Sequence, residues 1–194
     1  MAVHGDPLAF VLCSGHGRAA AGLGDERPRR AAAVSGGAAP TSWCLRAVAP
    51  ADTCWLVSLK EAALRPDLER LGVWDPLRSR HRLLVELAPA STWLVVLSGQ
   101  PVGSIGLRSA DGEQWLQHFF VLPEHQGRGL GSAVLGSLLG QRDDLRPLRL
   151  LALRGSRSLA LYTRHGFSHE RDHENGIDVV LVRSPAVRDR AVPA

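Results

Sequence analysis

The sequence predicts a single α/β domain, an α+β arrangement in which helices pack against one mixed sheet. Two observations carry this prediction. Apolar runs typical of strands recur between turn signals, and segments with helical apolar periodicity separate them. The predicted order is a strand, helices, three consecutive strands, a helix, a strand, a helix and two strands. The chain of 194 residues is long enough for one well-filled domain and too short for two large ones.

The first part of the domain is predicted from an apolar run and a helix cap. A strand over residues 43–48 is followed by Asp52, the expected cap of a helix near residues 52–64. Arg65-Pro66-Asp67 is expected to end this helix and begin another, because proline lacks the N–H group that a helix interior needs. The expected core residues after that break are Leu68, Leu71, Leu77, Leu83, Leu84 and Leu87.

Three consecutive strands are predicted next, over residues 93–97, 102–107 and about 113–122. The turn signals between them are Ser98-Gly99-Gln100 and Asp111-Gly112. Such short turns indicate antiparallel hairpins.

The rest of the domain alternates helices and strands. Apolar residues at helical spacing predict a helix from Leu130 to Leu139. The other predicted elements are a strand over 148–153, a short helix over 157–165, and strands near 167–171 and 177–182. Gly166 suits the left-handed position that follows the short helix.

Two segments flank the predicted domain, which spans residues 41–185. Residues 1–40 are rich in Ala, Gly, Arg and Pro and lack periodicity, so we expect a disordered extension. Residues 186–194 are expected to form a flexible tail.

Composition argues against several classes of protein. The formal net charge is +4, but Lys60 is the only lysine, and this arginine skew indicates coding bias more than a nucleic-acid surface. No apolar run approaches the roughly 18–20 residues of a membrane span. We therefore expect neither nucleic acid nor a membrane as partner. Cys13, Cys44 and Cys54 are odd in number and lack C-x-x-C spacing, which indicates reduced thiols in a cytoplasmic protein.

A glycine-rich turn, Gln126-Gly127-Arg128-Gly129-Leu130-Gly131-Ser132, joins the third consecutive strand to the following helix. At such a helix start several backbone N–H groups stay unpaired, and the helix dipole places partial positive charge behind them. These groups form a site shaped for phosphate oxygens. The segment therefore predicts that the protein binds a phosphorylated ligand.

Three glycine-rich motifs compete for this turn. A Walker A loop ends in Gly-Lys-Ser/Thr, and this run has no lysine, so that motif is excluded. A dinucleotide site needs G-x-G-x-x-G early in a parallel βαβ unit, whereas Ser132 stands in place of the last glycine and hairpins precede the turn. The third motif is Gln/Arg-x-x-Gly-x-Gly/Ala between a strand and a helix, and Gln126, Gly129 and Gly131 fit it.

On these residues the chain resembles the GNAT superfamily of N-acetyltransferases, from about Trp43 to Arg183 in element order. The most specific parts are Val121-x-Pro123-x-x-Gln126-Gly127-x-Gly129-x-Gly131 and Leu161-Tyr162-x-x-His165-Gly166-Phe167. One predicted strand lies between the two motifs. The resemblance implies a GNAT-like acyl-CoA N-acyltransferase fold, with acetyl-CoA as co-substrate and no metal.

The resemblance also implies how the cofactor would be held. In GNAT folds the strand before the loop carries a bulge whose exposed backbone pairs with the pantetheine arm of CoA. Glycines in the loop let the backbone approach the pyrophosphate. The expected cofactor-binding residues are Phe119, Phe120, Val121, Gln126, Gly127, Arg128, Gly129, Leu130, Gly131, Ser132 and Ser156. Ser156 falls where many relatives have an asparagine.

The catalytic residues are implied in the same way. Tyr162, the only tyrosine, lies where GNAT enzymes usually place the acid that protonates the departing CoA thiolate. His118 is the expected base, because a histidine near neutral pKa on the strand before the loop could relay a proton. Glu113 is a second candidate, and a sheet histidine without a catalytic role is the alternative for His118.

Histidine spacing does not predict a metal site. His165, His169 and His173 recur every four residues, but Gly166-Phe167 breaks the helix between the first two. No cysteine or carboxylate cluster joins them.

The function implied by the resemblance is transfer of an acetyl group from acetyl-CoA to a primary amine by direct attack in a ternary complex. The acceptor is expected to be an amine of a small molecule, peptide or protein, and the fold leaves its identity open. The alternative is a sensor or interaction module of the same fold that binds acyl-CoA without turnover. Pairing of edge strands into a homodimer is common in such folds.

Overall fold

The computed structural model of the chain describes residues 42–110, 112–142 and 145–185. The predictions for residues 1–40 and 186–194 fall outside these ranges. The strands are β1 (Trp43–Ala47), β2 (Thr92–Leu97), β3 (Gln100–Ala110), β4 (Glu113–Val121), β5 (Leu148–Leu153), β6 (Ser168–Asp172) and β7 (Asp178–Arg183). The α-helices are α1 (Thr53–Arg70), α2 (Pro76–Glu86), α3 (Leu130–Gly140) and α4 (Ser158–Arg164).

The strands form one seven-stranded sheet in the order β1-β2-β3-β4-β5-β7-β6. Strands β1 to β4 pair antiparallel, β4 and β5 pair parallel, and β5, β7 and β6 are again antiparallel. The parallel pair needs a crossover, and α3 supplies it. At the β2–β3 hairpin both Ser98 and Gly99 have positive φ, as tight hairpin turns require. The mixed sheet confirms the predicted fold class.

Two hydrophobic clusters cover the two faces of the sheet. Alternation along β2 separates them, because Val95 belongs to the larger cluster while Leu94 and Val96 belong to the smaller one. Helices α3 and α4 complete the larger cluster through residues such as Val134 and Tyr162. The smaller cluster joins α1 and α2 to the sheet through Leu56, Leu59, Leu83 and Phe120.

The prediction that Pro66 ends the first helix is wrong, because α1 continues through it to Arg70. Ion pairs within the helix hold the turns on both sides of the proline. Arg65 Nε lies 2.7 Å from Glu69 Oε1, and Arg70 Nη2 lies 2.9 Å from Asp67 Oδ1. The buried residues Leu56, Leu59 and Lys60 anchor the helix before the proline, and the ion pairs add a small stabilisation to the turns around it.

The predicted core of the second helix is partly wrong. Leu83 is completely buried, but 79% of Leu77 and 43% of Leu84 are exposed. The helix begins at Pro76, where Asp75 accepts a hydrogen bond from the Arg78 backbone N–H at 3.0 Å. Successive residues of a helix are rotated by about 100° around its axis, so this 11-residue helix can turn only one narrow face toward the core. Leu77 and Leu84 do not lie on that face.

Two smaller expectations also differ. The Asp52 carboxylate does not cap α1, because it accepts hydrogen bonds from the Arg46 guanidinium at 2.8 and 3.0 Å and from Ala49 N at 2.7 Å. Cys44 is disulfide-bonded, so the expectation of reduced thiols is wrong for this residue, whereas Cys54 is a free exposed thiol. Within the described ranges, the helices are all too short or too polar to cross a bilayer.

Candidate active site

The central feature of the site is an opening between the parallel strands β4 and β5. The two strands pair over only three positions, the last of which joins Leu116 to Leu150. Beyond this point β4 continues along β3, and β5 continues along β7. The segments 117–121 and 151–153 therefore diverge and leave a cleft within the sheet.

A β-bulge lies on β4 at the start of this cleft. Ser104 pairs with Phe120 and Gly106 with Gln117, so two residues of β4 stand opposite Ile105 alone. The bulge residue His118 has φ of +49°, in the left-handed region that histidine tolerates better than most residues. The buried Ser104 Oγ donates a 2.6 Å hydrogen bond to the His118 carbonyl and fixes the bulge. The expected bulge in this strand is thus confirmed.

Glycines on β3 make room for the bulge, and sequence reasoning missed them. A side-chain Cβ at Gly103 would lie 2.6 Å from the Phe120 carbonyl oxygen, closer than real Cβ atoms approach such an atom. At Gly106 it would lie 3.3 Å from the Gln117 carbonyl oxygen. Glycine inside a predicted strand is a signal for a bulge or a close backbone approach, and it could have located this one.

Backbone groups of β4 face the cleft. The Leu122 N–H donates to the Val102 carbonyl at 2.9 Å, which directs Leu122 toward β3. Because these directions alternate along a strand, the N–H and C=O groups of Val121 and Phe119 point the other way, toward the cleft. Gln126 Nε2 donates to the Val121 carbonyl at 2.8 Å and so ties the glycine-rich loop to the strand.

The glycine-rich loop leads directly into the first turn of α3. Gly127 and Gly129 have φ of +69° and +82°, and Gly129 is the residue directly before α3. Within the described ranges no side chain caps this helix start, and its first turn carries no acidic residue. Buried Leu130 anchors the turn, while the Arg128 side chain is exposed. The N–H groups of the first turn therefore remain available to an anion, with the positive end of the helix dipole behind them.

The first turn of α3 also contacts the helix that carries Tyr162. A Cβ at Gly131 would lie 3.5 Å from Leu161 Cδ2 and 3.9 Å from Phe119 Cζ. Ser132 Oγ lies 2.8 Å from Nε2 of His165, the residue that follows α4. The loop, the β4 bulge and α4 thus meet at one place, although they are distant in sequence.

Tyr162 lies on the α3–α4 face of the sheet. Its ring is 6.4 Å from the Phe119 ring and 5.8 Å from the Phe167 ring, centroid to centroid. Burial raises the pKa of the phenol above its ordinary value. Among the described residues its hydroxyl has no hydrogen-bond partner.

His118 approaches the cleft from the opposite face. Its ring is buried 6.4 Å from the Phe120 ring, and Nε2 lies 3.3 Å from the Glu86 carbonyl at the end of α2. A carbonyl only accepts, so Nε2 carries the proton and Nδ1 has the lone pair in the neutral ring. Burial is the largest cause that lowers the His118 pKa, and the charge of Lys60 lowers it further.

The other candidates lie at the margins of the site. Ser156 is buried just beyond β5, and its Oγ is 2.6 Å from Ser158 Oγ. Glu113 is the first residue of β4, where it accepts from Trp115 Nε1 at 3.0 Å and pairs with Arg149 at 3.3 Å. His118 at the bulge lies five residue positions further along the strand, about 17 Å away. Its geometry supports a structural role better than that of a base.

Histidines form no metal-binding group in the described part of the chain, where no cluster of three His, Cys, Asp or Glu residues occurs. His169 instead pairs with Asp172 at 3.1 Å on the exposed strand β6.

Comparison with known proteins agrees with this geometry. Residues 88–169 match the family model of the acetyltransferase (GNAT) domain, and this range contains the bulge, the glycine-rich loop and Tyr162. The fold is that of the acyl-CoA N-acyltransferases, and residues 88–169 are similar to the GNAT acetyltransferase domain. No curated protein sequence matches the chain.

Three solved structures illustrate the similarity. An acetyltransferase from Thermus thermophilus is 20% identical, with a TM-score of 0.60 over 75% of this chain and 98% of its own. The ribosomal-protein-S18-alanine N-acetyltransferase from Escherichia coli is 14% identical, with a TM-score of 0.58 over 79% of this chain and 100% of its own. The PaiA N-acetyltransferase from Thermoplasma acidophilum, solved with coenzyme A, is 16% identical, with a TM-score of 0.56 over 74% and 99%.

The share of a similar protein's length that this chain spans differs from one structure to another. The chain spans 44% of the length of a Pyrococcus horikoshii protein to which it is 23% identical. At these identities the structures share the fold with this chain.

Proposed function

We propose that the protein transfers an acetyl group from acetyl-CoA to a primary amine of a small molecule or protein, by direct attack in a ternary complex. The observation that carries the proposal is the cleft between β4 and β5 with the uncapped start of α3 beside it. The exposed N–H and C=O groups of β4 suit the amide groups of an extended ligand, and the nearby start of α3 suits its pyrophosphate. The neighbouring PaiA enzyme, solved with coenzyme A, supports the same class of donor.

The donor would be held mainly by backbone groups. Phe119 and Val121 offer N–H and C=O groups to the pantetheine arm along the cleft, in the manner of a neighbouring strand. The N–H groups at Gly129, Leu130 and Gly131 would bind the pyrophosphate, where the helix dipole favours negative charge.

The remaining cofactor candidates would support these contacts. Gln126 holds the loop to β4, and Gly127 supplies a positive φ that the turn requires. The exposed Arg128 would add a charged contact to a phosphate oxygen. Phe120 would act through its backbone, since its ring packs with the α1–α2 cluster.

Two proton transfers are needed, and a side chain on each face of the cleft would carry out one of them. The amine lone pair attacks the thioester carbonyl carbon, and the excess proton of the nitrogen passes to Nδ1 of His118, directly or through water. The C–S bond then breaks, and the CoA thiolate takes the hydroxyl proton of Tyr162. Solvent returns the proton from His118 to Tyr162, so the enzyme is unchanged at the end of the cycle.

The shifted pKa values suit these roles. The lowered pKa of His118 keeps the imidazole neutral at pH 7, which a base requires. The raised pKa of Tyr162 keeps the phenol protonated, which an acid requires. The same burial disfavours the thiolate as well as the tyrosinate, so the transfer moves the negative charge from sulfur to the Tyr162 oxygen until a proton returns through solvent.

A thiol-release assay with a panel of amines tests the proposal. We expect acetyl-CoA to protect the protein against thermal unfolding and at least one amine to give steady release of free CoA thiol. Protection without release on every amine class would instead support the acyl-CoA sensor. Protection by ATP but not by acetyl-CoA would contradict both.

A further inference from the structure

A hydrogen bond connects the expected phosphate site to the helix that carries Tyr162. Ser132 is the third residue of α3, and its Oγ lies 2.8 Å from His165 Nε2. His165 comes three residues after Tyr162 and directly follows α4. The pair therefore joins the first turn of the loop helix to the end of the Tyr162 helix.

The described residues around the His165 imidazole fix the ring without giving it an anionic partner. A Cβ at Gly136 of α3 would lie only 3.5 Å from His165 Cε1, so α3 packs closely on the ring. Arg183 of β7 holds the backbone by donating Nε–H to the His165 carbonyl at 3.0 Å. The charged groups that act on the ring are Arg164 and Arg183, both cationic, and α3 carries no charged side chain. Burial and these charges lower the His165 pKa.

The Ser132–His165 hydrogen bond has two possible proton arrangements. In one, the serine hydroxyl donates to an unprotonated Nε2 and can offer only lone pairs to another group. In the other, Nε2–H donates to Oγ and leaves the hydroxyl proton free. Phosphate oxygens accept hydrogen bonds and repel lone pairs, so an anion at the start of α3 selects the second arrangement.

We propose that His165 is a positioning residue for the acyl donor, which orients the Ser132 hydroxyl so that its proton is donated to a phosphate oxygen. The proposal deepens the function proposed above and rests on it. His165 would act through Ser132 and would not touch the reacting atoms.

This role makes donor binding depend on pH. A phosphate near the pair stabilises the imidazolium, so the complex has a higher His165 pKa than the free protein. Binding then takes up a proton, and affinity rises as pH falls through the range below the ordinary value of about 6.5. An imidazole that lies far from the bound phosphate would not link the affinity to pH.

The probe is 3′-dephospho-CoA, measured by titration calorimetry between pH 5.5 and 8. It lacks the phosphomonoester that would itself titrate near pH 6, and its pyrophosphate keeps a constant charge. For the wild-type protein we expect affinity about fivefold higher at the acidic end, the effect of one charge in a solvent-like dielectric. His165→Gln keeps a donor that can reach Ser132 but cannot titrate, so it should bind with a flat pH profile.

Two further variants test the coupling. Ser132→Ala should weaken binding about tenfold, as expected for a lost hydrogen bond to a charged group. His165→Leu keeps the hydroxyl but loses its orientation, so it should weaken binding by a smaller factor. The double variant should be no weaker than Ser132→Ala, because His165 acts through that hydroxyl.

Additive losses, or an unchanged pH profile in His165→Gln, would overturn the role of His165 while leaving donor binding intact. Absence of binding to the wild-type protein would overturn both this inference and the proposed function. Equal affinity in all variants would contradict the inference alone.

Discussion

The two faces of the sheet differ in how they would recognise a ligand. On one face, the glycine-rich loop and α3 present backbone N–H groups whose positions depend on glycine conformations. On the other face, α1 and α2 present side chains, including the buried Lys60, whose ammonium donates to the Ser79 carbonyl at 3.0 Å. A site built from backbone groups leaves a readable pattern of glycine spacing in the sequence. A surface built from packed side chains does not.

The α1–α2 face nevertheless borders the cleft. His118 reaches the end of α2, and Arg70 at the end of α1 donates to the Arg154 carbonyl at 2.9 Å in the turn after β5. These contacts bring both helices to the opening between β4 and β5. The acceptor amine would therefore enter beside α1 and α2, where its specificity would depend on side-chain packing.

The strongest test of the backbone site is Gly129→Glu, which we expect to abolish acetyl-CoA binding. The carboxylate would occupy the anion site and repel the pyrophosphate. Gly99→Glu is the matched control, because Gly99 also has φ near +80° and has open space around it in the β2–β3 turn. Calorimetry should show normal affinity for acetyl-CoA in Gly99→Glu and no binding in Gly129→Glu. Normal affinity in Gly129→Glu would refute the loop assignment.

The second test is Tyr162→Phe, which we expect to lower kcat by about 10²- to 10⁴-fold, the range for a lost acid or base. The phenyl ring keeps its packing against Phe119 and Phe167, so donor affinity and thermal stability should change little. Steady-state kinetics and calorimetry on the same preparation measure both effects. An unchanged kcat would remove Tyr162 from the mechanism.

The third test concerns the opposite face. His118→Asn should lower kcat about a hundredfold, because asparagine tolerates the positive φ of the bulge but cannot take up a proton. In the wild-type protein the neutral base is present above its lowered pKa. Rate should therefore be lost as pH falls through a midpoint below about 6.5.

The pH profile of kcat, measured with a weakly basic acceptor amine, checks this expectation. The acidic limb should disappear in His118→Asn. If the limb persists in the variant, another group is the base.

The smallest expected effects compare two leucines of α2. Leu83→Ala should lower the free energy of unfolding by about 2–5 kcal/mol, because Leu83 is completely buried. Leu77→Ala should change it by no more than about 0.5 kcal/mol, because Leu77 is largely exposed. Urea denaturation measures both. Equal losses would mean that Leu77 is covered in solution.

Prediction from the sequence succeeded best where local chemistry determines conformation. The turn at Ser98-Gly99, the start of α3 at Leu130 and the left-handed Gly166 all depend on a few neighbouring residues. The Pro66 prediction failed for the opposite reason. Contacts with the sheet and ion pairs between turns outweighed the local preference of one residue.

In the candidate site, too, local features could be predicted from the sequence, whereas contacts between distant segments could not. Residues of the glycine-rich loop could be predicted from spacing alone, since the anion site depends on backbone geometry. Ser104, Gly103 and the Glu86 carbonyl, which fix the bulge and the His118 ring, come from β3 and α2. The register of β3 against β4 brings Ser104 and Gly103 to the bulge, and the packing of α2 on the sheet brings the Glu86 carbonyl to His118.

The order of elements, the glycine-rich turn and the residues that resemble a family motif could be predicted from the sequence alone, because these depend on short-range spacing and backbone freedom. The tertiary structure decided that β4 and β5 separate after Leu116 and that Tyr162 and His118 approach this cleft from opposite faces. It also decided that His165 contacts Ser132. These features depend on strand pairing and packing between distant segments, which no local pattern encodes.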